Sequence, residues 1–127
     1  MPKEIISTDK APLAIGPYSQ GIKAGNFVYF SGQIPIDPET NQVISGDIKA
    51  QTIRVLENIE ILLNETELNL ESVVKTTIFL TNLNDFTIVN EIYGSYFKEN
   101  PPARSCVEAS NLPKGVSIEI ECIAFKE

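Results

Sequence analysis

D-I-K-A-Q-T-I-R-V-L-E-N-I-E-I-L-L-N-E-T-E-L-N-L-E-S-V-V-K-T-T-I-F-L, residues 47–80, changes its hydrophobic period part-way along. Ile48, Val55, Leu56, Ile59, Leu62 and Leu63 recur at helical spacing, and Asp47 ahead of them has the short acceptor side chain of an N-cap. The spacing predicts a helix running to about Glu65 with one buried stripe. Val73–Leu80 is instead β-branched and mostly apolar, which predicts a central strand.

Working outward, the N-terminal third is punctuated by Ala11-Pro12, Gly16-Pro17, Pro35 and Asp37-Pro38. Between these breaks lie strand candidates at Ile5–Ser7, Tyr18–Ala24 and Phe27–Gly32, the last two joined by a tight turn at Gly25-Asn26. On the C-terminal side, Phe86, Val89, Tyr93, Tyr96 and Phe97 predict one face of a second helix that ends before Pro101-Pro102. Ala103–Ala109 and Ser117–Phe125 alternate as strands. The order is β-β-β-α-β-α-β-β, an α+β layout in a single domain over residues 1–127, with two helices on one face of a six-stranded sheet. The other face needs cover, which predicts an oligomer.

Composition narrows the function classes. A chain of 127 residues can bury roughly two thirds of its unfolded surface without staples. Its net charge is −7 with ten basic residues and no basic run, so it repels phosphate backbones and no nucleic-acid partner is expected. Cys106 and Cys122 read as reduced thiols. No export signal is visible in M-P-K-E-I-I-S-T and no apolar run approaches a membrane span, so a soluble, cytoplasmic protein without a membrane partner is expected. There is no histidine, no metal-ligand spacing and no phosphate- or dinucleotide-binding glycine motif. No cofactor and no metal are expected.

The strand at 103–109 carries Arg104, Cys106 and Glu108 on one parity; the strand at 117–125 carries Glu119 and Glu121 on one side and Ile118, Ile120, Cys122 and Ala124 on the other. If the two strands pair as a hairpin across N-L-P-K-G, Arg104 comes to face Glu119 or Glu121. An ion pair on a solvated face and a ligand site both fit that pattern, and pattern alone leaves the choice open.

A-I-G-P-Y-S-Q-G (14–21), S-G-Q-I-P (31–35), V-V-K-T-T-I-F-L-T-N-L-N-D-F (73–86), P-A-R-S-C-V-E (102–108) and L-P-K-G-V-S-I-E-I-E (112–121) closely resemble the RidA family of reactive intermediate deaminases, also called L-PSP endoribonucleases. The likeness spans nearly the whole chain in order. It implies a chorismate-mutase-like fold with a mixed sheet, assembled as a homotrimer with pockets between subunits. It also implies hydrolysis of 2-imino acids such as 2-iminobutanoate and 2-iminopropanoate to 2-keto acids and ammonia. By the same resemblance Arg104 clamps the substrate carboxylate, Glu119 is the site glutamate, and Tyr18, Ser31, Gly32, Asn90 and Cys106 line the pocket. The Arg-Ser-Cys run fits the imine-hydrolysing branch.

The chemistry is open to a chain without histidine. An iminium carbon is already electrophilic, so the protein has to hold the substrate and place a water. Arginine grips a carboxylate bidentately, and a glutamate can orient the water and relay its proton. Nothing near Cys106 in sequence would generate a thiolate, which makes it a pocket wall before a nucleophile. Two rival readings are a non-catalytic trimer that binds 2-keto acids or similar metabolites to regulate a partner, and a ribonuclease; the second is disfavoured by the missing histidine and the negative charge.

Overall fold

The structure is a computed structural model and describes residues 2–127. In chain order the elements are β1 (Glu4–Ile6), β2 (Gly21–Ala24), β3 (Phe27–Gln33), β4 (Ile36–Asp37), β5 (Gln42–Val43), α1 (Ile48–Glu65), β6 (Val73–Leu80), α2 (Phe86–Tyr96), β7 (Ala103–Glu108) and β8 (Ile118–Phe125). The helix that the 47–65 periodicity predicts is α1. The Asp47 carboxylate caps it by accepting the Ala50 N–H at 3.0 Å, and Val55, Leu56, Ile59, Leu62 and Leu63 form its buried stripe.

Six strands form one sheet in the order β1-β2-β3-β8-β6-β7, and both helices pack on one side of it. β6 and β7 run parallel, as a strand pair joined through a helix can; every other pair is antiparallel. The α+β mixed six-stranded architecture thus stands as expected. Two local readings change. The second strand starts at Gly21, so Tyr18 lies in a loop, and the Pro35–Val43 stretch folds a small β4–β5 hairpin of its own.

The expected hairpin between the last two strands does not form. β8 pairs with β3 on one side and β6 on the other, and β7 is the sheet edge beyond β6. The reason is burial. Ile118, Ile120, Cys122 and Ala124 are each at most 2% exposed and require a central position, whereas β7 has no such stripe.

This order decides where the charges go. Arg104 is level with Thr76, and Thr76 with Cys122, so Arg104 and Cys106 stand on the helix side with Ile78 and Ile120. Glu119 is level with Phe79 and Glu121 with Thr77, on the opposite side. The register that would set Arg104 against either glutamate is overturned.

The side without helices is apolar over much of its area. Phe27 and Phe125 meet edge to face at 5.4 Å, and with Tyr29 and Val107 they are 37–45% exposed. Among the described residues no helix is long and apolar enough to cross a membrane.

Candidate active site

The first candidate cavity begins at an irregularity in the sheet. The β3–β8 register shifts between Phe30 and Gln33, so the ladder opens at Ser31 and Gly32. Glu119, from β8, fills the opening. A Cβ built on Gly32 would run into its carboxylate, so the side chain lies flat against the glycine backbone. Glu119 is half-buried, and the loss of hydration raises its pKa above the ordinary carboxylate value; the neighbouring negative charge of Glu121 adds to the rise.

Over this carboxyl group lies a cavity of about 470 Å³, walled by Leu13, Ile15, Ile34 and Ile36 and open to Tyr18, Ser31 and Gly32. The Ser31 hydroxyl donates to the Ser19 carbonyl at 2.6 Å, and the Ser31 N–H donates to the Gln20 carbonyl at 2.9 Å. Tyr18 is half exposed, and its hydroxyl accepts a long contact from the Ile15 N–H at 3.4 Å.

Gln20, which the sequence reading passed over, organises this wall. It is buried, its Nε2 donates to Pro12 O at 2.7 Å and Thr8 O at 3.0 Å, and its Oε1 accepts the Thr8 N–H at 2.6 Å. A stretch broken by Pro12, Gly16 and Pro17 forms no strand ladder of its own, and the Gln20 amide pairs the Thr8 and Pro12 backbone groups instead. The only sequence signal was an amide directly after a Gly/Pro-broken segment. Lys114 was also missed; it adopts the left-handed conformation with φ 59° and puts its side chain on the cavity wall.

A second candidate cavity lies on the helix side of the β7 edge. Arg104 is exposed there, and its Nη1 donates to Asn90 Oδ1 at 2.8 Å. Among the described residues it makes no ion pair. The guanidinium carbon stands 5.4 Å from the Phe86 ring centroid and 5.0 Å from that of Tyr93. A shallow cavity of about 440 Å³ bounded by Asn90, Gly94, Pro101 and Pro102 opens beside it. Cys106 is partly buried against the core; burial pushes its thiol pKa up, and Arg104 opposes that rise without cancelling it.

The residues singled out from the sequence therefore fall into two groups. Tyr18, Ser31, Gly32 and Glu119 share the first cavity; Asn90 and Arg104 line the second, and Cys106 stands two residues along β7 on the same side of the sheet without lining it. One group presents a half-buried carboxyl of raised pKa in partly apolar surroundings. The other presents a guanidinium with unused N–H donors.

The family model described as Endoribonuclease L-PSP matches residues 8–126. The chain belongs to that family, which includes the Rid and RutC proteins. A RutC family protein of Pyrococcus abyssi is 58% identical over 127 residues, covering 100% of both chains. Among solved structures, the Rid-family protein YyfA of Yersinia pestis superposes with a TM-score of 0.94 at 50% identity, covering 98% of this chain and 99% of that one. TdcF of E. coli, solved with bound serine, superposes with a TM-score of 0.92 at 43% identity, covering 98% and 99%. Both likenesses extend over the two cavities and the strands that carry them.

Proposed function

We propose that this Rid-family chain hydrolyses 2-imino acids such as 2-iminobutanoate and 2-iminopropanoate to the 2-keto acid and ammonia. The observation that carries the reading is the Glu119 carboxyl, half-buried, raised in pKa and held against Gly32 at the floor of an apolar cavity. Such a group exchanges protons closer to neutral pH than an exposed carboxylate does. Arg104 supplies the recognition, because its free donors match a carboxylate bidentately. The serine held by the E. coli relative supports a ligand with an amino-acid backbone.

Arg104 and Glu119 stand on opposite sides of the sheet, so one protomer does not present both to a small substrate. The working site joins the Arg104 edge of one protomer to the Glu119 cavity of a neighbour in a homotrimer. The exposed aromatic side of the sheet supports such an assembly, since a monomer would leave it in water.

In the reaction, Arg104 holds the carboxylate and the iminium carbon faces a water on Glu119. As the water oxygen bonds to C2, Glu119 takes its proton; it then passes that proton to the amino nitrogen of the carbinolamine. The C–N bond breaks as the carbonyl forms, and the hydroxyl proton leaves through Glu119 with ammonia as ammonium. Cys106 takes no part: its thiol is held protonated. RNA cleavage, which the family description names, fits less well with a chain of net charge −7 and no histidine to act as acid and base.

The test generates 2-iminobutanoate with threonine dehydratase in the presence of semicarbazide and follows semicarbazone formation. The wild-type protein should suppress trapping, and Arg104→Ala should not. Unchanged trapping with retained binding of 2-ketobutanoate would instead identify a metabolite-binding trimer without catalysis.

A further inference from the structure

We propose that Phe86 and Tyr93 are positioning residues for Arg104, an aromatic cradle that holds the guanidinium ready for a carboxylate. The inference rests on the reading of Arg104 as the substrate clamp and adds residues that reading does not assign.

Arg104 lies on an edge strand with both of its strand neighbours exposed. An arginine in that position ordinarily samples many rotamers, and ordering it on binding costs affinity. Here three side chains from α2 restrain it. Phe86, Asn90 and Tyr93 follow i, i+4, i+7 spacing and so share one helix face. The two rings lie 5.4 and 5.0 Å from the guanidinium carbon, and Asn90 takes one N–H at 2.8 Å. Guanidinium is weakly hydrated and tolerates ring contact, which an ammonium would not match. Of its five N–H donors, Asn90 uses one on Nη1, leaving the pair on Nη2 for a ligand.

The Tyr93 ring is itself fixed. Its hydroxyl shares a buried hydrogen bond of 2.6 Å with Thr76 Oγ1, and Thr76 is the ladder partner of Arg104. The chain Arg104–Tyr93–Thr76 therefore closes back on β7. Tyr93 is buried and also packs on Phe97 with ring centroids 4.6 Å apart, a second contact that restrains the ring.

Calorimetric titration of the oligomer with 2-ketobutanoate and with its amide, which lacks the charge, tests the cradle. Phe86→Leu should weaken 2-ketobutanoate binding about fivefold and leave the amide within about twofold. Phe86→Tyr, which keeps the ring, should restore the difference. Tyr93→Phe keeps its ring but drops the Thr76 tether, and should give a smaller loss with the same selectivity for the charged ligand. A readout without ligand is the ¹⁵N relaxation of the Arg104 Nε–H, which should show greater side-chain motion in Phe86→Leu than in the wild type.

If Arg104→Ala abolishes keto-acid binding while Phe86→Leu binds like the wild type with an equally ordered Arg104, the cradle is wrong and the clamp stands. If Arg104→Ala binds like the wild type, the clamp falls and the cradle with it. Equal weakening of keto acid and amide in Phe86→Leu would show general damage to the site and would also overturn the cradle.

Discussion

The Glu119 carboxylate occupies the space that a side chain at Gly32 would need. The β3–β8 bulge brings the two together, and only a residue without a Cβ permits it. Gly32→Ala should therefore push the carboxyl out of its place over the cavity floor. Imine hydrolysis should drop on the order of 100-fold, as expected for a misplaced catalytic group. Binding of 2-ketobutanoate through Arg104 should change far less. The trapping assay and calorimetry separate the two, and an alanine variant with wild-type turnover would remove Glu119 from the chemistry.

The raised pKa of Glu119 also ties activity to stability. The folded state binds this proton more tightly than the unfolded chain, so ionising Glu119 destabilises the fold as pH rises from the ordinary carboxyl value through the raised one. Glu119→Gln should accordingly be more stable than the wild type at neutral pH, by less than about 1 kcal/mol because the group is half exposed and screened. That gain should fade as the pH falls through the raised value and be gone below the ordinary glutamate range. Denaturant midpoints of both proteins at pH 7 and pH 4 measure it. Wild-type turnover should fall over the same interval as the base becomes protonated.

The two thiols should behave differently from nucleophiles. Burial pushes Cys122 up to about 12, and Cys106 is also raised, so neither is a thiolate at neutral pH. Cys106→Ser should retain hydrolysis within about threefold, the cost of a small change in pocket wall. Iodoacetamide should label native Cys106 more slowly than a free thiol and reach Cys122 only after unfolding. Rapid, inactivating labelling of Cys106 in the native protein would bring back a covalent mechanism.

These predictions depend on features of very different visibility in the chain. Hydrophobic period located α1, β6, α2 and β8 because each buries a continuous stripe whose spacing is written in the residues. Strand order was not visible. Whether β8 pairs with β7 or inserts beside β6 depends on competition for the central position, and alternation along one strand carries no information about its neighbour. The reading of Arg104 against Glu119 failed for that reason alone. The match of Glu119 to Gly32 was equally hidden, since it needs the bulge, and Gln20 gave little sign that it ties down the loop before it. Family motifs named residues in both groups, yet they could not say that the two lie on opposite sides of the sheet.

That separation yields the sharpest test of the proposed assembly. Arg104→Ala and Glu119→Gln should each be inactive alone, because each leaves every site lacking one partner. If a site takes Arg104 from one protomer and Glu119 from the next, unfolding the two variants together and refolding them as a mixture should create some sites with both residues intact. Random assembly places an intact pair in roughly a quarter of the sites, and activity should return in that proportion. Control mixtures of each variant with itself should stay inactive, and size-exclusion chromatography should give one oligomer for all samples. Should the mixture remain inactive while wild type refolded in the same way recovers, the two residues serve one protomer, and a rearrangement of the β7 edge would have to bring them together.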